Sequence, residues 1–184
     1  GYVAAENTLI TAGCNQAFCL SIQALARAGD AVMLPVPYYF NHQMWLQMHG
    51  ITSLQLPFRP DREGVPDPDE AAALLTADTK AIVLVSPSNP TGAIYPPAVI
   101  EQFRNLAEER GIALIIDETY RDFLSDANGP PHKLIRDDGW DETVIQLYSF
   151  SKSFSLTGYR VGAITASARV IATVAKIMDT VQIC

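Results

Sequence analysis

Apolar and polar positions along the chain form two alternating kinds of segment. Uninterrupted apolar runs, at 81–85 and 112–116, are typical of strands buried on both faces of a parallel sheet. Longer segments carry apolar residues at helical spacing, most clearly from Pro96 to Arg110, which Gly111 follows. The predicted strands are 8–11, 31–36, 51–56, 81–85, 112–116, 143–148 and 161–165, and the predicted helices are 15–28, 37–49, 67–75, 96–110 and 169–183.

The regular alternation of strands and helices indicates the fold class. It is typical of an α/β domain, and we predict a three-layer α/β/α sandwich with a mostly parallel sheet. No internal repeat, low-complexity segment or linker divides the chain, so residues 1–184 are predicted to form one domain. Two helix boundaries depend on particular residues. Gly29 is predicted to cap the first helix, and Pro37 is predicted to begin the second.

Composition and charge exclude several classes of function. The 184 residues carry a net charge of -7, which argues against a nucleic acid or an anionic membrane as partner. No apolar run approaches the roughly 20 residues of a membrane span, and no secretory signal opens the chain. The three cysteines, Cys14, Cys19 and Cys184, match neither a disulfide framework nor a zinc site. We therefore expect no metal and a cytoplasmic location.

Polar segments follow the predicted strands, where open α/β sheets bind their ligands. Residues 12–16 open a helix whose free backbone amides suit a phosphate. Asp117 closes the strand at 112–116 without a basic neighbour in sequence, and a protonated ring nitrogen would supply its partner. Lys152 lies among small hydroxyl residues just after the strand at 143–148. This setting predicts an amine that forms a Schiff base with a phosphorylated aldehyde cofactor.

Each of these features alone has an ordinary structural explanation, such as a glycine turn, a helix cap or a core aromatic. Both G-x-G-x-x-G and the P-loop pattern are missing, so a dinucleotide or P-loop nucleotide site is not expected. Three segments carry more weight in combination. They are S-N-P-T-G at 88–92, D-E-T-Y at 117–120 and S-F-S-K-S-F-S-L-T-G-Y-R at 149–160.

With these segments in this order, the chain resembles the class I and II aminotransferases, which are pyridoxal-phosphate enzymes of fold type I. The resemblance covers essentially the whole chain. It implies pyridoxal 5'-phosphate as cofactor and an amino acid and a 2-oxo acid as substrates. It also implies that the amino group is transferred through a Schiff base on Lys152.

The resemblance further implies a role for each matching residue around the cofactor ring. Lys152 is the catalytic lysine that binds the cofactor covalently. Asp117 is the partner of the pyridine nitrogen, and Asn89 and Tyr120 donate to the phenolic oxygen of the ring. The aromatic residue that stacks on the ring is Tyr39.

The phosphate and the neighbouring turns are assigned in the same way. Ser149 and Arg160 are implied as side-chain ligands of the phosphate. The backbone amides of Cys14 and Asn15 join them, and Gly13 lets the backbone approach closely. Tyr38 is the second choice for the stacking residue, and a cis peptide bond is predicted before Pro90.

The chain departs from the family pattern in what it lacks. The N-terminal arm, the C-terminal small domain and the arginine that binds the substrate carboxylate are expected to lie outside these 184 residues. The family's phosphate-contacting tyrosine, which the partner subunit supplies, is likewise expected to lie outside them, upstream of Gly1. We therefore expect a cofactor-binding large domain, a homodimer in the full-length protein, and little turnover by this chain alone.

Three alternatives remain at this stage. A lyase, decarboxylase or synthase of fold type I would share the cofactor site. An aminotransferase-like effector domain of a transcription regulator would bind the cofactor without turnover. The spacing from Ser149 to Lys152 also matches the S-x-x-K motif of penicillin-binding proteins. The only echo of the accompanying S-D-N motif, at 125–127, comes too early and ends in alanine, and no K-T-G follows.

Overall fold

The computed structural model describes residues 3–125, 131–136 and 138–182 as seven strands in one sheet with helices around it. Three features named above lie outside the described residues. They are positions 126–127 of the partial S-D-N match, the predicted helix end at Ile183, and Cys184. The strands are β1 (Thr8–Thr11), β2 (Ala31–Pro35), β3 (Thr52–Leu56), β4 (Thr79–Val85), β5 (Ala113–Asp117), β6 (Val144–Ser149) and β7 (Gly162–Thr165), and the α-helices are α1 (Gly13–Leu25), α2 (Phe40–Met48), α3 (Pro68–Leu74), α4 (Pro97–Arg110) and α5 (Ala168–Val181).

The strand directions bring the predicted site segments to one edge of the sheet. The strand order is β1-β7-β6-β5-β4-β2-β3, and neighbours from β6 to β3 are parallel. Because β7 is antiparallel to both β6 and β1, β1 runs in the same direction as β6. Gly162, at the amino end of β7, is aligned with Thr11 on one side and with Ser149 on the other.

The core lies on both faces of the sheet, as the alternation along β4 shows. Ala81 and Val83 belong to the buried cluster that includes residues of α1 and α5. Ile82 and Leu84 belong to the cluster that includes residues of α3 and α4. Since successive side chains of a strand point to opposite faces, the sheet is the middle of three layers. The predicted α/β class with a mostly parallel sheet is confirmed. None of the described helices is long and apolar enough to cross a membrane.

The predicted end of the first helix is wrong. Helix α1 ends at Leu25, and Ala26 has extended backbone angles. The next residues form a separate turn, in which the Asp30 carboxylate accepts from the Arg27 amide at 2.9 Å and the Asp30 amide donates to the Arg27 carbonyl at 3.0 Å. Gly29 lies in that turn with φ +94° and does not cap the helix. The local hydrogen bonds of the turn therefore replace the last helical turn.

The predicted start of the second helix is also wrong. Helix α2 begins at Phe40 and not at Pro37, since Tyr39 takes the extended conformation of an N-cap. Tyr38, in the segment before the helix, packs against the core cluster on the α1 face. Tyr39 therefore lies on the loop between β2 and α2. The remaining described helix and strand boundaries agree with the prediction to within two residues.

Candidate functional site

A cavity of about 300 Å³ opens at the edge of the sheet where β5 and β6 end. It falls within the size range of small-molecule sites. Nine of the ten predicted site residues line it, and the tenth, Gly13, packs against the guanidinium of Arg160. The nine are Cys14, Asn15, Tyr39, Asn89, Asp117, Tyr120, Ser149, Lys152 and Arg160.

The start of α1 forms one wall of this cavity. Gly13 has φ +78°, and a Cβ at this position would lie 2.3 Å from Nη2 of Arg160. Only a glycine therefore lets the guanidinium cross the helix start so closely. Ala12 provides no side-chain cap, so the amides of Cys14 and Asn15 lie at an uncapped, positive helix end. Such an end favours an anion.

The side chains around Arg160 extend the same anion-binding character. Its Nη1 donates to the Thr157 carbonyl at 3.2 Å and to Oγ of Ser151 at 3.4 Å. Ser149 lies on the same cavity wall. Among the described residues, neither Arg160 nor Lys152 forms an ion pair with a carboxylate. Arg160 can therefore meet an anionic ligand, and the side-chain amine of Lys152 can meet an electrophilic one.

Asp117 is a buried carboxylate that lacks a cationic partner in the described chain. Its Oδ1 accepts from the Thr119 amide at 3.0 Å and from the Thr119 hydroxyl at 2.7 Å. Its Oδ2 lies 3.6 Å from Nε2 of His42. Burial lowers the pKa of His42 to about 4, although the Asp117 charge opposes this shift. His42 is therefore neutral near pH 7, and a cation in the cavity would complete the surroundings of Asp117.

The sequence analysis missed four residues that matter here. His42 was not found because it lies 75 positions from Asp117, although its position four residues before the buried Leu46 marks an inward-facing site. The other three, Thr119, Ser151 and Thr157, line the cavity and belong to the segments that were already selected. Their hydroxyl side chains beside a carboxylate and an arginine were the available signal.

The Cys14 thiol is not prepared for nucleophilic chemistry. Burial raises its pKa well above the ordinary value, and the nearby charge of Asp117 acts in the same direction. The thiol therefore stays protonated at neutral pH, whereas a cysteine nucleophile needs a thiolate. A contribution of Cys14 to a ligand would come from its backbone amide and its protonated side chain.

The aromatic and turn residues occupy the remaining walls. Tyr39 lines the cavity, while the second choice, Tyr38, packs against the core. Tyr120 precedes the short 3-10 helix Arg121–Phe123 and lies three residues after the end of β5. The predicted cis bond between Asn89 and Pro90 is confirmed. Cis bonds at Val36–Pro37 and Ser86–Pro87 were not predicted.

A buried acid next to Asp117 holds this end of β5 in place. Glu118 is fully buried, pairs with Arg121 at 3.1 Å and with His132 at 3.2 Å, and accepts from Gln146. Burial alone would raise the pKa of Glu118, but the hydrogen bonds and charges of these partners together lower it. Glu118 is therefore ionised and joins the segment that carries Asp117 to β6 and to the loop around His132.

The buried neutral state of His42 predicts a pH dependence of folding. Below pH 6.5 the unfolded chain binds a proton that folded His42 rejects until about pH 4, so stability falls as the pH decreases through this window. The loss attributable to His42 is roughly 3 kcal/mol. Urea denaturation of the wild type and of His42→Phe between pH 7 and pH 4.5 measures it. If the free energy of unfolding of His42→Phe fell with pH as steeply as that of the wild type, the assignment to His42 would be contradicted.

Comparison with known proteins places these features in a family. The family model described as aminotransferase class I and II matches residues 2–184. An aromatic aminotransferase of Arabidopsis thaliana is 34% identical over 97% of this chain and 45% of its own length. The aspartate/prephenate aminotransferase of Thermus thermophilus is 31% identical over 95% of this chain and 44% of its own length.

Solved structures agree with this match. A mutant of Thermus thermophilus aspartate aminotransferase has a TM-score of 0.90 and 31% identity, covering 97% of this chain and 46% of the other. N-succinyldiaminopimelate aminotransferase of Mycobacterium tuberculosis has a TM-score of 0.90 and 27% identity, covering 99% and 48%. The chain spans less than half the length of these relatives. By this match along almost its entire length, the chain belongs to the class I and II aminotransferases.

Proposed function

We propose that this chain is the cofactor-binding domain of a pyridoxal-phosphate-dependent aminotransferase, which transfers an amino group between an amino acid and a 2-oxo acid. One observation carries the proposal. Within the described part of the chain, a single cavity brings together a lysine without an ion pair, a buried carboxylate without a cationic partner, and a helix start that suits an anion. The family and the names of the relatives support the reaction type.

The residues present fit pyridoxal phosphate. Asp117 would meet the protonated ring nitrogen, which is the cation that its buried carboxylate lacks. The phosphate would bind at the start of α1 with Arg160 and Ser149. The phenolic oxygen of the ring would accept from Asn89 and Tyr120. These assignments give a role to five side chains of the cavity wall, Asn89, Asp117, Tyr120, Ser149 and Arg160.

The chemistry divides between the cofactor and the chain. When bound, pyridoxal phosphate supplies a ring that accepts the negative charge left when an amino acid loses its Cα proton. Lys152 would hold the cofactor covalently through Nζ, and as a free amine it would accept the Cα proton and deliver a proton to the aldehyde-derived carbon of the cofactor, as amino transfer requires. Asp117 would keep the proton on the ring nitrogen, and Tyr39 would hold the ring face.

We further propose that the complete enzyme is longer than these 184 residues. We propose that residues 1–184 form one cofactor-binding domain and that the groups selecting the substrate lie in other parts of a longer protein. A homodimer and a cytoplasmic location are proposed for that longer protein. Efficient turnover is not expected from this chain alone, since the relatives are more than twice its length.

A half-reaction tests the proposal with this chain. The protein is loaded with pyridoxal phosphate and incubated with aspartate and with aromatic amino acids, for which several relatives are named. We expect up to one equivalent of pyridoxamine phosphate and of the matching 2-oxo acid per chain. Release of carbon dioxide or of a side-chain fragment would favour a decarboxylase or lyase. The same assay on the full-length protein tests the remaining alternative, since cofactor binding without any conversion there would favour a non-catalytic effector domain.

Asp117→Asn is expected to weaken pyridoxal phosphate binding by about ten- to a hundred-fold. The substitution keeps the shape but removes a charge-assisted hydrogen bond of about 1.5–3 kcal/mol. A spectrophotometric titration of the cofactor with each variant measures the change. Asp179→Asn, an exposed change on α5, is the matched control and should bind like the wild type. Equal affinity of Asp117→Asn and the control would exclude Asp117 as the ring-nitrogen partner.

A further inference from the structure

A side chain outside the cavity holds the aromatic residue that lines it. Nδ2 of Asn41 donates to the hydroxyl of Tyr39 at 3.0 Å. Asn41 lies in the first turn of α2, two residues after Tyr39, and is not part of the cavity wall. Because a tyrosine hydroxyl both donates and accepts, either end of the Asn41 amide can make this bond.

The Tyr39 ring also lies against two neighbouring aromatic rings. Its ring is perpendicular to His42 with centroids 5.4 Å apart, and tilted against Phe40 at 5.0 Å. His42 is itself stacked on the buried Phe18 at 4.0 Å. The contact with His42 fixes one edge of the ring, whereas the bond to Asn41 fixes its far end. Together the two contacts restrict both side-chain torsions of Tyr39.

We propose that Asn41 is a positioning residue, which sets the tilt of the Tyr39 ring for stacking on a flat cofactor in the cavity. The proposal rests on the proposed function, because it requires the ring of pyridoxal phosphate against Tyr39. Stacking depends on the mutual angle of two rings, so a ring that is already oriented loses less freedom when the cofactor binds. The role needs the hydroxyl of Tyr39 and would be absent with phenylalanine at that position.

Two measurements on the full chain test this role. The first uses the cofactor-free protein with 13C-labelled tyrosine, in which the Tyr39 signal is identified by its loss in Tyr39→Phe. Asn41→Ala should shift that signal, and Asn105→Ala, an exposed change on α4, should not. The second is a double-mutant cycle on the dissociation constant of pyridoxal phosphate. Asn41→Ala should weaken binding about three- to ten-fold alone, and should have no further effect in the Tyr39→Phe background.

The outcomes separate this proposal from the proposed function. An unshifted Tyr39 signal in Asn41→Ala, or the same loss of affinity in both backgrounds, overturns the positioning role while the cofactor site stands. A wild-type chain that binds no pyridoxal phosphate, with a normal Tyr39 shift, overturns the proposed function and the positioning role with it. Asn41 lies in the first turn of α2, and alanine has a high helix propensity. The melting temperature of Asn41→Ala should therefore stay within about two degrees of the wild type. A larger drop would make the loss of affinity a stability effect and would also overturn the role.

Discussion

Lys152→Ala is expected to abolish covalent attachment of pyridoxal phosphate to this chain. Lys152 is the one lysine among the described cavity-lining residues, and no carboxylate of the described chain holds its amine. The chain has four lysines in all. Of the other three, Lys80 lies near the amino end of β4 and pairs with Asp30, Lys176 is on α5, and Lys133 is in a loop. Alanine leaves the cavity without a primary amine.

Reduction of the mixed protein and cofactor with borohydride makes the attachment permanent, so peptide mapping can locate it. We expect about one label per chain on the peptide that contains Lys152, and none in Lys152→Ala. Lys176→Ala is the matched control, because it removes an exposed lysine far along the chain and should keep the label. A label on Lys80, Lys133 or Lys176, or an unchanged label in Lys152→Ala, would show that the cofactor is not attached in the proposed site.

Much of the site was predictable from local sequence, because parallel strands end at a common edge. Asp117 and Ser149 each follow an apolar run, and the structure has them as the last residues of β5 and β6. The strand-end rule therefore selected them before any contact was known. The roles of the individual residues came from the family resemblance, and these roles stay predictions until a cofactor is measured.

The remainder depended on contacts between distant segments, which a single sequence does not encode locally. His42 of α2 meets Asp117 at the end of β5, although the two residues lie 75 positions apart in the chain. Which of Tyr38 and Tyr39 lines the cavity depends on the core, because Tyr38 packs against it and Tyr39 lies on the cavity wall. Glycine is the residue type that most often caps a helix C-terminus, but Gly29 does not cap α1. The hydrogen bonds of the turn from Arg27 to Asp30 end the helix earlier.

Gly162→Ala is expected to weaken binding of the cofactor phosphate by displacing the start of α1. A Cβ at this position would lie 2.5 Å from the Gly13 carbonyl carbon and 2.7 Å from the Cys14 amide nitrogen. These are backbone atoms at the start of α1, so the helix start must move to make room. We expect the free energy of unfolding to fall by about 1–3 kcal/mol, as for other overpacked sites. Pyridoxal phosphate affinity should fall by at least about ten-fold, since the displaced amides are the proposed phosphate donors.

Pyridoxal, which lacks the phosphate, separates a local effect on the phosphate site from a general loss of structure. If Gly162→Ala acts through the start of α1, its affinity for pyridoxal should change far less than its affinity for pyridoxal phosphate. Gly158→Ala is the matched control, because no heavy atom lies within 4 Å of its added Cβ, and it should bind both compounds like the wild type. Equal losses for both compounds in Gly162→Ala would mean that β7 supports the fold and not the phosphate site. Wild-type affinity of Gly162→Ala for both compounds would mean that the helix start can move without weakening phosphate binding by its amides.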